Sequence, residues 1–221
     1  MDGRDLIEVI TKYGVWASGK KGMECAVAAC PRCHARPKTF WRHGTRLRLF
    51  LVFASVVVRV WSYLPRWKCP ACRGTFTQYP DFALPFKRYA LPFMVERAGV
   101  YVTDEARTYA EGVEAEGVAI CHEDADAGRS LWPSTLWRWV STLGGFAETV
   151  RRALDLIKRK DPSTDIIRRL SGGQFRGAKF RSQARKGVLQ RCRALLLAAP
   201  VYAELFGVGI FPDLATGVGW R

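Results

Sequence analysis

The alternation of apolar and polar positions changes character along this chain. Residues 46 to 53, RLRLFLVF, and 56 to 64, VVVRVWSYL, are dense in β-branched and aromatic residues and flank a small break at Ala54 and Ser55, which predicts two paired strands. The longest apolar run, residues 49 to 58, is bounded by Arg48 and Arg59 and falls well short of the roughly 20 residues a membrane helix needs. From residue 89 the period turns helical. YALPFMVERAGVYV (89 to 102) supplies a first helix. TDEARTYAEGVEAEG (103 to 117) reads as a second, with Thr103 as N-cap, Asp104 and Glu105 in its first turn and Gly117 at its end.

In WPSTLWRWVSTL (132 to 143), Pro133 suits the first helical position, and Leu136, Trp139, Val140 and Leu143 fall at i, i+3, i+4 and i+7 on one face. The opposite face carries Ser134, Thr135, Trp137, Arg138 and Ser141. FAETVRRALDLIKRK (146 to 160) places Phe146, Val150, Leu154 and Ile157 on one side and its arginines and lysines largely off it. A basic, glycine-rich link (171 to 181) leads to a last helix, capped by Ser182 and running to about Ala198. The resulting fold class is α+β: an N-terminal β ribbon, a mostly helical middle, and C-terminal helices. The boundaries fall at 1–24 for a helical lead-in, 25–88 for the ribbon, 89–145 for the helical domain, and 146–221 for the basic C-terminal helices with an apolar tail.

Composition narrows the partner. A formal charge of +15 over 221 residues and a pI near 9.9 favour polyanions through counterion release, so nucleic acid is the leading partner class. Double-stranded DNA is expected ahead of RNA, and no membrane partner is expected. The N-terminus, MDGRDLIEVI, has acids where a secretory signal would be basic, so a cytoplasmic location is expected. In that reducing compartment seven cysteines are poor disulfide staples.

Four of the seven form two Cys-Pro-X-Cys tetrapeptides, CPRC at 30 to 33 and CPAC at 69 to 72. Each such turn aims two thiolates at one point, and two of them satisfy the tetrahedral preference of zinc. Cys30, Cys33, Cys69 and Cys72 are therefore the expected ligands of a structural Zn2+, with the strand pair between them bringing the two turns together. A single redox CxxC explains one tetrapeptide but not two, and ordinary buried cysteines have no reason to come in matched pairs. Cys25, His34 and His43 are close enough in sequence to substitute as ligands; Cys25 reads as a spare thiol and the histidines as surface or phosphate-facing groups. Cys121 and Cys192 stand alone.

Beyond the second tetrapeptide, CRGTFTQYPDFALPFKRYALPFM (72 to 94) runs through Thr-Phe-Thr, Pro-Asp-Phe and Leu-Pro-Phe-Lys-Arg-Tyr. With RHGTRLR (42 to 48), SLWPSTLWRWVSTLGG (130 to 145) and, more loosely, KFRSQARKGVLQRCRALL (179 to 196), it resembles the transposase-like zinc-ribbon and helix-turn-helix proteins of bacterial mobile elements. The resemblance covers most of residues 30 to 196 and is most specific from the knuckle to Tyr89. It implies a ribbon and a following helix-turn-helix that recognise element DNA.

On that reading Arg42, His43, Arg46, Arg48, Lys87 and Arg88 contact phosphates, Ser134, Thr135 and Arg138 face base edges, and Arg176, Lys179 and Arg181 form a second basic contact. The link at 118 to 131 departs from the pattern: it is longer than a 3–4-residue turn and carries HEDADAG, whose acids phosphates repel. No catalytic residues are expected. Three carboxylates on an RNase-H-like sheet, a Walker loop and a Ser/His/Asp arrangement are all missing from the pattern. Other proteins of a transposition or nucleoprotein complex are the second partner class. The alternative is an adaptor within such a complex, with no sequence-specific DNA binding of its own.

Overall fold

A computed structural model describes residues 2–19, 23–104, 106–123, 130–171 and 182–213. It is mixed α and β, with a three-stranded antiparallel sheet and several helices. The described residues up to Pro92 form one compact unit and those from Phe93 onward a second.

The first unit is a helix laid on a long hairpin. β1 (Trp41–Phe53) and β2 (Val57–Lys68) pair antiparallel from Trp41 opposite Lys68 to Phe53 opposite Val57, with one bulge between Arg42 and Gly44. β3 (Thr75–Thr77) adds to the far side of β2 through Trp67 opposite Phe76. The hairpin predicted from residues 46 to 64 is thus present and extends further at its open end. Its inner positions, Phe50, Val52, Val60 and Leu64, meet Leu6 and Ile10 of α1 (Gly3–Ser18) and Tyr79, Phe82, Ala83 and Ala90 of the loop beyond β3. α1 approaches β2 closely because Gly14 has no side chain. A Cβ there would lie 2.6 Å from Ser62 Oγ, which donates to the Ile10 carbonyl at 2.9 Å. The outer face of the hairpin leaves Leu47, Trp61 and Tyr63 exposed, with Leu47 directly opposite Tyr63.

The second unit is helical. α2 (Leu91–Thr103), whose first two residues belong to the first unit, matches the helix expected over 89 to 102. Among the described residues the helix expected over 103 to 117 is not formed, and Glu105, expected in its first turn, lies outside them. Thr103 is the last residue of α2, its hydroxyl bonded back to the Gly99 carbonyl at 2.7 Å, and not an N-cap. The next element is a single helical turn, α3 (Tyr109–Gly112), whose cap is Thr108: its hydroxyl receives the Glu111 N–H, and the Glu111 carboxylate receives the Thr108 N–H. A two-stranded ribbon comes after it, β4 (Glu114–Ala115) and β5 (Val118–Ala119), closed by Glu116 and Gly117, both at positive φ. Glu-Gly in left-handed geometry is the two-residue hairpin turn, and it overrides the helix propensity of the alanines and glutamates around it.

α4 (Pro133–Leu143) forms as the pattern predicts, with Pro133 in the first turn and Leu136, Trp139, Val140 and Leu143 buried. Three residues, 144 to 146, separate it from α5 (Ala147–Lys160). α5 buries Thr149, Val150, Ala153 and Ile157, while the expected Leu154 is only half-buried. After the short α6 (Ile166–Ser171), α7 (Gln183–Phe206) is capped by Ser182 as expected, but runs past Ala198, through Pro200, to a left-handed Gly207. Its stripe of Leu189, Cys192, Leu195, Ala198 and Tyr202 is the surface on which α4 and α5 pack. A last turn, α8 (Ile210–Asp213), brings Phe211 against Phe146. Among the described residues no helix is long and apolar enough to cross a membrane.

Candidate metal centre

The open end of the hairpin carries the two Cys-Pro-X-Cys turns. The first sits just before β1 and the second between β2 and β3, so the pairing of Trp41 with Lys68 sets the two turns side by side. The sulfurs of Cys30, Cys33, Cys69 and Cys72 all lie within 4.8 Å of one another and are positioned to hold a metal ion. Cys30 Sγ is 3.8 Å from Cys72 Sγ, and Cys33 Sγ is 3.8 Å from Cys69 Sγ. Four sulfurs at about 2.3 Å from a central zinc form a tetrahedron with edges of about 3.8 Å, whereas a disulfide needs about 2 Å. The cluster therefore has the spacing of a metal cage and not of two disulfides.

The two turns are near copies. In the first, the Cys30 N–H reaches the Ala35 carbonyl and the His34 N–H the Cys30 carbonyl. In the second, the Cys69 N–H reaches the Gly74 carbonyl and the Arg73 N–H the Cys69 carbonyl. The first cysteine of each pair is buried and the second exposed. His34 and Arg73, the residues after each pair, share the same left-handed φ of 59°. His34 is thus a turn residue equivalent to an arginine. Neither it, nor His43, nor Cys25 belongs to the sulfur cluster.

Two thiols of the cluster are shifted in opposite directions. Backbone N–H groups, that of Cys72 foremost, hold the Cys69 thiol down to about 7. Cys33 goes up to about 11: the Ala35 N–H pulls it down, but removal from water and the neighbouring sulfurs outweigh that pull. Four thiolates this close repel one another unless a metal ion sits between them.

The residues expected at phosphates stand in three settings. His43, Arg46 and Arg88 are exposed. Arg42 is a clasp inside the first unit: it donates to the Ala17 carbonyl at 2.5 Å and to the Met23 sulfur, and lies over the Trp67 ring. Arg48 is another, donating to the carbonyls of Leu84 and Lys87 and stacked against Phe50 and Tyr79. Burial depresses its pKa. Lys87 is half-buried. On α4, Ser134 and Arg138 are exposed and Thr135 half-buried. Arg176, Lys179 and Arg181 lie outside the described residues.

A cleft of about 400 Å³ beside α3 is lined by Asp104, Arg107, Glu111, Glu114 and Glu116. Two of these carboxylates maintain local structure. Asp104 receives the Ala106 N–H and Glu111 the Thr108 N–H, and those bonds hold both below the usual carboxylate range. Sequence reasoning missed the Thr108 and Glu111 cap, although T-x-x-E was there to be read. A scan against protein-family models matches no family, and searches of the curated proteins and of the solved structures find no similar chain.

Proposed function

We propose that this chain is a zinc-stabilised DNA-binding protein associated with a mobile element, holding duplex DNA with its basic cysteine-bearing unit and reading it with the outer ridge of α4. The observation that supports this best is the coincidence of a four-sulfur cluster with a segment whose charge is almost all of one sign. Between residues 25 and 92 the chain has twelve arginines and lysines and a single acid, Asp81. Such a segment gains affinity for phosphates by releasing their counterions.

Zinc here is structural. Four thiolates fill its coordination sphere and leave no position for water or substrate, so the metal contributes folding energy and no chemistry. Ser134 and Arg138, one helical turn apart and exposed, are the groups on α4 open to a groove. The link to mobile elements rests on the sequence resemblance.

The test is a gel-shift series on the zinc-loaded protein across a salt titration, followed by selection from random duplexes. Binding that falls steeply with salt and a recovered sequence preference support the reading. No binding at low salt sinks it. The exposed Leu47, Trp61 and Tyr63 favour a second reading, an adaptor that docks on another protein. That reading predicts selection without any preferred sequence.

A further inference from the structure

In the loop beyond β3 the chain makes a tight turn at Leu84-Pro85-Phe86-Lys87. The Lys87 N–H returns to the Leu84 carbonyl at 3.3 Å, Pro85 occupies the second position, and Phe86, in the third, has a φ of 62°. This is a type II arrangement, in which the third position ordinarily belongs to glycine; a bulky side chain there is strained. Burial does not compensate the strain. Phe86 is 73% exposed, the most exposed large apolar side chain among the described residues.

The turn is nonetheless fastened. Leu84 and Pro85 are buried, Arg48 of β1 donates to the carbonyls of Leu84 and Lys87, and the next residues dock on β1 through Leu51 N–H to Arg88 carbonyl at 2.9 Å and Ala90 N–H to Leu51 carbonyl at 3.0 Å. A rigid support thus holds a strained aromatic ring in water, immediately before Lys87 and Arg88 and within the segment of twelve cations and one acid. Strain retained on an exposed side chain points to a use for that side chain.

We propose that Phe86 is a base-stacking residue: its ring covers the face of an unpaired nucleobase while the cations beside it hold the adjoining phosphates. The charge selects a polyanion, and an aromatic ring selects the π-face that every base offers. An unpaired base is the expected occupant because wedging one ring into a duplex costs about as much in lost base stacking as the ring regains. The inference rests on the nucleic-acid reading above.

The test is fluorescence anisotropy on a labelled oligothymidine strand and on a random-sequence duplex of equal length, each at two salt concentrations. The proteins are the zinc-loaded full chain, Phe86→Ala, Phe86→Gly and Phe86→Trp. The expected result is that Phe86→Ala and Phe86→Gly weaken single-strand binding roughly ten-fold or more with an unchanged salt slope, that duplex binding stays within about two-fold, and that Phe86→Trp restores single-strand binding. Phe86→Gly should also melt at a higher temperature than wild type, because glycine accepts the left-handed position, and this separates lost binding from lost fold.

Unchanged single-strand affinity in Phe86→Ala overturns the inference, as does an equal loss on both polymers. So does a wild-type dimer that Phe86→Ala dissociates in sedimentation, which would make a second copy the occupant. If the wild type binds neither polymer, the reading beneath the inference fails as well.

Discussion

The guanidinium of Arg185 lies 5.1 Å from the centre of the Trp137 ring, joining the first turn of α7 to the outer face of α4. The same group donates to Ser141 Oγ at 2.8 Å and to the Tyr109 hydroxyl. Tyr109 in turn stacks on Tyr101 at 4.0 Å. Trp137, still 48% exposed, and Ser141 are thereby engaged from within the unit, while Ser134 and Arg138 beside them are exposed. Replacing Arg185 by alanine should cost the second unit about 1–2 kcal/mol, the sum of a partly desolvated cation–π contact and its hydrogen bonds. Urea unfolding followed by tryptophan fluorescence measures it. Arg185→Lys should recover less than half, because a lysine has no planar face to stack. A wild-type midpoint in Arg185→Ala would show that the contact stabilises nothing.

The sulfur cluster makes a prediction independent of nucleic acid. Purified protein should carry one zinc per chain, and chelation should lower the melting temperature of the first unit. Cys72→Ser should reduce both metal content and melting temperature, while Cys121→Ser, an exposed cysteine outside the cluster, should change neither. A melting curve indifferent to chelation would rule out a structural metal.

Thiol labelling tests the same cage and adds a pH dependence. With zinc bound, Cys121 should react at once with a disulfide reagent. Cys25, which burial raises to about 11, should react slowly, and Cys192, raised to about 12, only on unfolding. Chelation should open the four cluster cysteines to labelling that the bound metal otherwise blocks. Cys192 keeps its proton in the folded chain at pH values where the unfolded chain has lost it. Its burial therefore contributes stability below the ordinary thiol value of 9, and that contribution declines as pH rises from 9 towards 12. In a Cys192→Ala background the alkaline decline should be shallower in pH-dependent urea unfolding, and an equal slope would assign it elsewhere.

If α4 reads bases and the first unit holds phosphates, their cations should fail differently. Arg138→Ala should flatten the preference among duplex sequences while leaving the salt slope nearly intact; Arg88→Ala should weaken all duplexes alike and reduce that slope by about one. Equal loss of specific and non-specific binding in Arg138→Ala would refute the role given to α4.

Gly14→Ala addresses the helix on the sheet. The added methyl meets Ser62 Oγ at 2.6 Å, the Ser62 Cα and the Tyr63 nitrogen at 3.3 Å, so the helix must lift from β2. A destabilisation of about 1–3 kcal/mol is expected by chemical denaturation. The intrinsic helix preference of alanine acts in the opposite direction, so a gain in stability would rule out close packing of α1 on β2 at Gly14.

Local pattern alone determined the hairpin, the four-cysteine cluster and α4. A β-branched run, a doubled Cys-Pro-X-Cys and a stripe at i, i+3, i+4 and i+7 each specify their partner face within a few residues. Residues 103 to 117 were misread because helix propensity is weak, and a capping box at Thr108 with a left-handed Glu-Gly turn outweighs it. Only the tertiary structure decided which cations remain open. Arg42 and Arg48 look in sequence like Arg46 and Arg88, but carbonyls contributed by α1 and by the loop beyond β3 take up their donors. The chain distances involved, 25 and 36 residues, lie beyond any helical or strand period, so no local pattern records them.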